Sequence, residues 1–482
     1  MSTLSELEPK SVFHFFEALC KIPRGTYNTK EVSDFCVNFA KERKLECVQD
    51  KWNNVIIKKA GTTGYENAEP VIFQGHLDIV CEKTEESTHD FKKDPIEAYV
   101  DGAYVTAKGT TLGADDGIAI AYALAILDSE TIAHPPIEAV FTVDEEEGMI
   151  GAKGIDLSTL KGKMLFNIDS DVEGVLISGC AGGVDHTITL PIARKEQNGS
   201  VVEFHLFGLL GGHSGTEMCF QRLNASKLAG RILMMIQKEV ALCLIETNGG
   251  SKKNVITSSS ITKVLVPVGQ EEKTKEIVLA VAAEIKAELG KDEPDFAVEV
   301  TVTKDQKVSV MESKDAEKVM FIMAAAPYGI QGYSRELEGL VETSLNLGVL
   351  TTTEDSVKFV HMIRSSIGSK IQELKQILDF WAECLGASAK SEGEYPAWQY
   401  KADSKLRPIM VDTYREMFGK EPEVTTLHAG LECGILLGQK PDLDCVSFGP
   451  NALDIHSVNE RLEIASAKRM WDYILAILKN CK

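Results

Sequence analysis

The stretch from Pro70 to Asp78 reads PVIFQGHLD, an apolar segment that ends in glycine, histidine and aspartate. The same order, an apolar strand followed by acidic side chains, returns in PIEAVFTVDEEEG (residues 136–148) and KMLFNIDSD (residues 163–171). In open α/β sheets, ligands bind beyond the carboxyl ends of the strands. The stretch therefore predicts an α/β fold in which polar residues distant in sequence converge on one crevice.

Outward from this stretch, apolar strands alternate with helices, as in NVIIK (residues 54–58) and the small-residue helix IAIAYALAIL (residues 118–127). Alternation of this kind is typical of a sheet with helices on its faces. After GCAGG (residues 179–183) the strands alternate polar and apolar residues, which favours an α+β region. An α/β pattern returns after GEYPAW (residues 393–398), with a long helix predicted over residues 459–478. We therefore expect one α/β domain interrupted by a large insertion.

Length and charge limit the classes of function. A chain of 482 residues is long enough for two to four domains at roughly 150 residues each. Its net charge of −21 argues against nucleic acid and against an anionic membrane surface as partners. The N-terminal residues lack the basic and apolar regions of a signal peptide, and the eleven cysteines show no CxxC pair. These features predict a cytoplasmic protein with reduced thiols.

Residues His76 and Asp78 lie two apart at the end of a predicted strand, so their side chains point to the same face. Asp78 can therefore fix the tautomer of the imidazole, as acids do at many metal-binding histidines. The alternative is a surface pair at a strand end, and from this motif alone it is the more favoured interpretation.

Three further clusters carry acids or histidine: GADDG (residues 113–117), DEEEG (residues 144–148) and DIHS (residues 454–457). Each has an ordinary alternative, respectively a helix N-terminus, a solvated loop and an isolated histidine. Together with Asp169 they supply the oxygen and imidazole ligands that suit zinc, manganese or cobalt.

These motifs carry a resemblance to a known family. GHLD, GADDG, DEEEG, NIDSD, GCAGG, GLLGGHSG and DIHSVNER occur here in the order and approximate spacing of the M20 metallopeptidases. ETSLNLG (residues 342–348) and IRSS (residues 363–366) are similar, more narrowly, to the aminoacyl-histidine dipeptidase or peptidase D group. The resemblance spans nearly the whole chain. It implies a di-zinc exopeptidase-like catalytic domain with a mixed sheet and flanking helices (residues 1–185 and 402–482), interrupted by an α+β lid domain (residues 186–401).

The resemblance also implies roles for particular residues. It implies two divalent metal ions, zinc or alternatively manganese or cobalt, with these ligands: His76, Asp115, Glu146, Asp169 and His456. Asp115 would be shared by both ions, Asp78 would orient His76, and Glu145 would be the general base for a water activated by the metals. The assignment within Glu145–Glu147 depends on aligning DEEEG with the family's D-E-E-x-G, and a slip of one residue would exchange these roles.

In the insertion, the resemblance makes His213 of GLLGGHSG the candidate lid histidine and donor to the oxyanion. Arg364 could pair with the C-terminal carboxylate of a short peptide, although a structural salt bridge is the alternative. Asn254, Gly430 and Glu432 are further substrate-contact candidates, with Glu432 able to face a substrate amine.

The function expected from this set is hydrolysis of unblocked dipeptides, including Xaa-His dipeptides, with a small peptide as partner and no nucleic acid or membrane. An aminoacylase or N-deacylase of the same fold is one alternative, and a metal-binding homologue without catalysis is another. The insertion is roughly twice the length of a common lid unit in the family. A homodimer and a site completed within one chain both stay open.

Overall fold

The computed structural model describes residues 4–481, which form two compact units, each with its own hydrophobic core. The first unit contains the described residues up to Gly179, together with Trp398–Thr426 and the described residues from Leu431 onward. The second contains Cys180–Ala397 and Leu427–Gly430. The predicted boundaries, after residue 185 and before residue 402, lie a few residues further along the chain.

Short 3₁₀ helices lie at Leu4–Glu6 and Met218–Phe220. The α-helices of the described residues are α1 (Lys10–Cys20), α2 (Lys30–Glu42), α3 (Ala114–Asp128), α4 (Ile150–Gly154), α5 (Ala225–Glu239), α6 (Glu271–Leu289), α7 (Ser313–Ala325), α8 (Gly368–Leu385), α9 (Leu406–Phe418), α10 (Glu432–Gln439) and α11 (Ile464–Asn480). None of these helices is both long enough and apolar enough to cross a membrane.

The strands of the same residues are β1 (Glu46–Gln49), β2 (Val55–Lys59), β3 (Val71–His76), β4 (Ala98–Asp101), β5 (Tyr104–Ala107), β6 (Ile137–Thr142), β7 (Met164–Asn167), β8 (Val175–Cys180), β9 (Gly182–Pro191), β10 (Arg194–Phe207), β11 (Cys243–Gly249), β12 (Ser260–Val266), β13 (Ala297–Met311), β14 (Gly329–Tyr333), β15 (Val341–Thr352), β16 (Ser356–Ser365), β17 (Ser388–Tyr395), β18 (Glu423–Leu427), β19 (Asp444–Ser447), β20 (Ala452–Leu453) and β21 (Arg461–Glu463).

The main sheet of the first unit has the order β1-β2-β6-β3-β7-β19-β8-β18. Its central strands β6, β3, β7 and β19 are parallel, whereas β1, β2 and β8 pair antiparallel with their neighbours. Strands β3 and β6 are buried along their whole length, which explains why PVIFQGH and PIEAVFTV read as near-continuous apolar runs. The mixed sheet and its helices agree with the predicted α/β fold class.

Helix α3 is buried from Asp116 to Leu127, as expected for a helix that presents small and apolar residues on every side. A smaller sheet of this unit has the order β20-β21-β5-β4.

The second unit is built on a nine-stranded sheet with the order β13-β10-β12-β11-β15-β16-β9-β17, and β14 pairs with β15. Helices α5 to α8 contribute their apolar residues to the core of this unit. Strands that alternate with helices over an antiparallel sheet agree with the α+β character predicted for this region.

The helix predicted over residues 459–478 begins later than expected, at Ile464. The preceding residues Arg461–Glu463 form β21 and pair antiparallel with β5, and Ser457–Glu460 form a turn. Leu462 fits the apolar periodicity of α11 and is buried, but it belongs to strand β21 and not to the helix. The pairing partner lies far away in sequence, so local periodicity could not reveal it.

Candidate metal centre

Three adjacent parallel strands deliver the polar residues to one edge of the main sheet. His76 is the last residue of β3, Glu145 and Glu146 lie in the turn after β6, and Asp169 follows β7. Because β6, β3 and β7 are neighbours in that order, their carboxyl ends lie side by side.

Asp115 reaches this edge from the start of α3. Its backbone is non-helical, with φ −79° and ψ 106°, so the side chain leaves the helix direction. The Oδ1 atom of Asp115 lies 3.0 Å from Nε2 of His76, and its Oδ2 atom lies 3.1 Å from Nε2 of His456. One carboxylate therefore faces two imidazoles with its two oxygens, which is the arrangement expected of a shared ligand.

The remaining predicted ligands complete two groups around Asp115. Glu146 Oε2 lies 3.1 Å from Nε2 of His456, and Asp169 Oδ1 lies 3.8 Å from Nε2 of His76. Three sets of potential ligand atoms lie within 4.8 Å of one another: His76, Asp116 and Asp169; His76, Glu145 and Glu146; Asp115, Glu146 and His456. The structure thus brings all five sequence-predicted ligands together and adds Asp116 beside them.

The charges in this cluster perturb one another strongly. Burial alone would lower the pKa of His76, but hydrogen bonds to Asp115 and Asp78 raise it well above its ordinary value. Hydrogen bonds to Asp115 and Glu146 raise the pKa of His456 to about 11. Burial raises the pKa of Asp169 well above its ordinary value, and the nearby carboxylates of Asp115 and Glu146 add to this effect. Such crowding of acids is stabilised by cations, whether protons or metal ions.

The donor set fits divalent metal ions. Imidazole nitrogens and carboxylate oxygens are ligands of zinc, manganese and cobalt, and the groups include no thiolate. In addition, Oε1 of Glu146 is buried and has no hydrogen-bond partner among residues 4–481. A buried carboxylate oxygen is costly without a partner, and a metal ion would provide one.

Asp78 is fully buried behind His76. The Nδ1 atom of His76 lies 3.2 Å from the main-chain oxygen of Asp78 and 3.6 Å from its Oδ1. Nδ1–H is therefore the donor, and Nε2 is left for a ligand. The same carboxylate accepts the main-chain N–H groups of Glu145 at 3.1 Å and Glu146 at 3.4 Å, and the hydroxyl of Thr26 at 3.0 Å. It thus links the histidine to the turn that carries both glutamates.

The three glutamates of DEEEG differ in exposure. Glu145 and Glu146 are partly buried, whereas Glu147 is exposed and belongs to none of the three groups of potential ligands. Burial raises the pKa of Glu145 well above its ordinary value, and the carboxylates of Asp169 and Glu432 raise it further. The inner pair is thus Glu145 and Glu146.

Glu432, the residue predicted to face a substrate amine, lies inside the first unit. Its side chain is fully buried, and Oε2 accepts hydrogen bonds from Gln74 Nε2 at 2.5 Å and Thr142 Oγ1 at 2.6 Å. Burial raises its pKa to about 7. Helix α10 begins at this residue between the buried Leu431 and Cys433, so the carboxyl group lies inside the unit. The other carboxylate oxygen of Glu432, Oε1, is buried and has no hydrogen-bond partner among the described residues, and the contact with a substrate amine stays a prediction.

The second unit holds a polar group of its own. His213 Nδ1 accepts the main-chain N–H groups of Gly215 and Thr216, both at 3.3 Å. Nη2 of Arg364 lies 3.4 Å from His213 Nε2, and Nη1 donates to the hydroxyl of Tyr395 at 2.8 Å. Burial, followed by the charge of Arg364, lowers the pKa of His213 to about 4. The ring is therefore neutral at neutral pH, and N–H donors face both of its nitrogens, from the main chain at Nδ1 and from Arg364 at Nε2.

The other predicted substrate contacts also belong to the second unit. The main-chain oxygen of Asn254 accepts the N–H of Ser214 at 2.8 Å, while its side chain is exposed. Gly430 lies in Leu427–Gly430, which groups with the second unit although it was predicted in the catalytic domain. The reason is local: Ala181 N–H donates to Leu427 O at 2.9 Å, and His428 Nε2 lies 2.7 Å from Ser344 Oγ.

Sequence reasoning missed three buried charged residues around the proposed ligands: Arg24, Asp116 and Glu460. Asp116 Oδ2 accepts the main-chain N–H of His76 at 3.2 Å. A Cβ atom on Gly75 would lie 2.5 Å from this oxygen, so the glycine of GHLD leaves room for it. The sequence shows both acids of GADDG, but their spacing alone does not indicate that Asp115 faces the histidines while Asp116 binds the main chain of His76.

A cluster of imidazoles and carboxylates at the carboxyl edge of a mixed α/β sheet is typical of metal-dependent hydrolases. Residues 72–480 match peptidase family M20/M25/M40, and the chain belongs to this family. The predicted family, fold class and enzyme class, a hydrolase of peptides, are thereby confirmed.

Two proteins that are similar to this chain over its full length belong to a more specific class than the family as a whole. The chain is 37% identical over 483 residues to the cytosol non-specific dipeptidase of Escherichia coli, covering 100% of this chain and 99% of that one. It superposes on the crystal structure of aminoacylhistidine dipeptidase from Vibrio alginolyticus with a TM-score of 0.92 and 39% identity, covering 99% and 98% of the two chains. Aminopeptidase PepT from Bacillus cereus shares the fold, with a TM-score of 0.57, 14% identity and coverage of 98% and 99%.

Proposed function

We propose that this chain hydrolyses unblocked dipeptides, including Xaa-His dipeptides, at a centre of two divalent metal ions. The observation that carries the proposal is Asp115, whose two carboxylate oxygens face His76 at 3.0 Å and His456 at 3.1 Å. The substrate class is supported by the full-length likeness to a non-specific dipeptidase and to an aminoacylhistidine dipeptidase. The proposed ions are zinc, with manganese or cobalt as alternatives.

The proposed ligands divide into two sets that share Asp115. His76 and Asp169 would hold one ion, and Glu146 and His456 would hold the other. Asp78 keeps the proton of His76 on Nδ1, so that Nε2 presents its lone pair to a ligand.

The bound ions would polarise the scissile carbonyl and lower the pKa of a water molecule. Glu145 is the proposed general base, which takes the proton of that water and delivers it to the leaving amine. Burial raises the pKa of its carboxyl group, which makes the carboxylate a better proton acceptor than an exposed glutamate. Asp78 holds the main-chain N–H of Glu145 and thereby orients the base.

For the second unit, we propose that His213 donates Nε2–H to the oxyanion and that Arg364 pairs with the substrate carboxylate. The proposal needs the tautomer with the proton on Nε2, which the two main-chain N–H groups at Nδ1 favour over the single, longer contact of Nε2 with Arg364. The hydroxyl of Tyr395 holds one arm of the Arg364 guanidinium. Asn254 and Gly430 are retained as proposed substrate contacts.

The roles of the glutamates can be tested with matched variants of DEEEG. Glu145→Gln should abolish turnover while leaving about two metal ions per chain, measured by elemental analysis. Glu146→Gln should lower both turnover and metal content, and Glu147→Gln is the control that should leave both unchanged. Full activity of Glu145→Gln would eliminate the proposed base, and loss of activity in Glu147→Gln instead would show that the alignment of DEEEG is shifted by one residue.

The substrate class is tested by comparing Ala-His, Ala-Ala and an N-acetyl amino acid under saturating metal. We expect hydrolysis of the two dipeptides and little hydrolysis of the N-acetyl compound. The opposite preference would identify an N-deacylase. A cytoplasmic location, in line with the name of the Escherichia coli relative, and a homodimer are likewise proposals.

A further inference from the structure

Glu460 is a buried acid that contacts the proposed ligand Asp115 through the main chain. It is 2% exposed, and its carboxylate accepts four successive main-chain N–H groups. Oε2 accepts those of Leu112 at 2.7 Å and Gly113 at 2.9 Å, and Oε1 accepts those of Ala114 at 2.8 Å and Asp115 at 3.3 Å. The segment that presents Asp115 is thus bound through its main chain to the segment that follows His456.

Arg24 is a buried cation, at 1% exposure, whose charge interacts with that of Glu460. Its Nη1 donates to the main-chain oxygen of Leu77 at 2.9 Å, and its Nη2 donates to that of Gly113 at 2.6 Å. Leu77 lies between His76 and Asp78. One planar guanidinium therefore joins the segment that carries His76 to the segment that carries Asp115.

The two glycines of GADDG make room for this arginine. A Cβ atom on Gly113 would lie 2.7 Å from Nη2 of Arg24, and one on Gly117 would lie even closer to the same nitrogen. Gly113 also has a φ of 74°, which an L residue rarely adopts. The glycines that flank the two aspartates are therefore explained partly by the packing of Arg24.

Stability is a weak reason to bury these charges. Nε of Arg24 has no hydrogen-bond partner within the described part of the chain, and taking a charged side chain out of water is costly. The hydrogen bonds of Arg24 and Glu460 instead go to main-chain groups beside His76 and Asp115, so they fix the positions of the segments that carry these proposed ligands.

We propose that Arg24 and Glu460 are positioning residues that set the separation of His76, Asp115 and His456 and thereby determine metal affinity. The proposal rests on the ligand set proposed above. Residues that orient metal ligands typically change metal affinity or activity by about 10- to 100-fold when replaced.

The test compares wild type with Glu460→Gln, which keeps the size of the side chain but places an amide NH₂ against main-chain N–H donors. Zinc is titrated into the metal-free proteins in competition with a chromophoric chelator, and kcat and KM for Ala-His are measured at saturating zinc. We expect zinc affinity to fall at least about tenfold, kcat to fall and KM to change little. Glu463→Gln is the matched control, because Glu463 lies in the same segment but bonds Asn451 and Arg469 instead; its zinc affinity should equal that of wild type.

Unfolding of the metal-free proteins separates position from stability. A lower unfolding midpoint in Glu460→Gln with zinc affinity within twofold of wild type would overturn the proposal. If Glu460→Gln does not fold, Arg24→Lys decides by the same two criteria, because a lysine retains the charge but cannot span both carbonyl groups. Failure of wild type itself to bind zinc, manganese or cobalt would instead refute the proposed function.

Discussion

Asp78 is not a proposed metal ligand, but its replacement by asparagine should still lower kcat strongly. The two oxygens of Asp78 accept hydrogen bonds from the main-chain N–H groups of Glu145 and Glu146, at 3.1 Å and 3.4 Å. An asparagine keeps one acceptor and turns its NH₂ toward one of these donors. The loss of one hydrogen bond to a charged acceptor costs about 1.5–3 kcal/mol. We therefore expect kcat to fall about 10- to 100-fold.

The assay is hydrolysis of Ala-His at saturating zinc, with zinc content measured on the same samples. Asp144→Asn is the matched control, since Asp144 lies in the same turn but accepts the N–H of Tyr27 at 2.7 Å. It should retain kcat within about threefold of wild type. A kcat within twofold of wild type for Asp78→Asn would refute the reasoning, as would an equal loss in both variants.

Zinc binding to the metal-free protein should release at least one proton at pH 7, because hydrogen bonds to Asp115 and Glu146 raise the pKa of His456 to about 11 and a metal-bound imidazole must give up that proton. Affinity should accordingly rise with pH, and binding heats that do not depend on the ionisation enthalpy of the buffer would contradict this. His213→Gln should lower kcat for Ala-His at least about tenfold without loss of zinc; release of zinc would exclude its proposed role. Gly113→Ala should destabilise the metal-free protein by about 1–3 kcal/mol in urea unfolding, because the new Cβ would lie 2.5 Å from Cγ2 of Ile79 and 2.7 Å from Nη2 of Arg24, at a φ of 74° that alanine rarely adopts; unchanged stability would show that this glycine is not needed.

Much of the first unit could be predicted from the sequence because its signals are local. An apolar run that ends in His76 or in Asp169 predicts both a buried strand and a polar strand end, and the structure has both. Parallel pairing then brings these ends together without further information. The entry of Asp115 from the start of α3 required the family resemblance, since a helix N-terminus explains the same acids.

What the sequence did not reveal depends on contacts between distant segments. The first residues of the predicted helix over 459–478 pair instead with β5, and Glu460 binds amides of the segment around Gly113. Glu432 binds Gln74 and Thr142, two distant partners that its local sequence does not indicate. A sequence shows that an acid is present but not whether its partners are solvent, substrate or buried amides.

The distance in sequence between Asp115 and His456 has a consequence for assembly. It meets Asp115 across 341 residues of chain, and closing so long a loop costs on the order of 5 kcal/mol of entropy. The second unit shortens that loop, because its first and last strands, β9 and β17, pair side by side from Gly183 and Tyr395 onward. Once folded, it acts as a short tether between the halves of the first unit, and cutting the free loop to a third lowers the closure cost by about 1 kcal/mol. During synthesis on the ribosome, the proposed metal centre can be completed only after this tether and the segment that carries His456 have emerged.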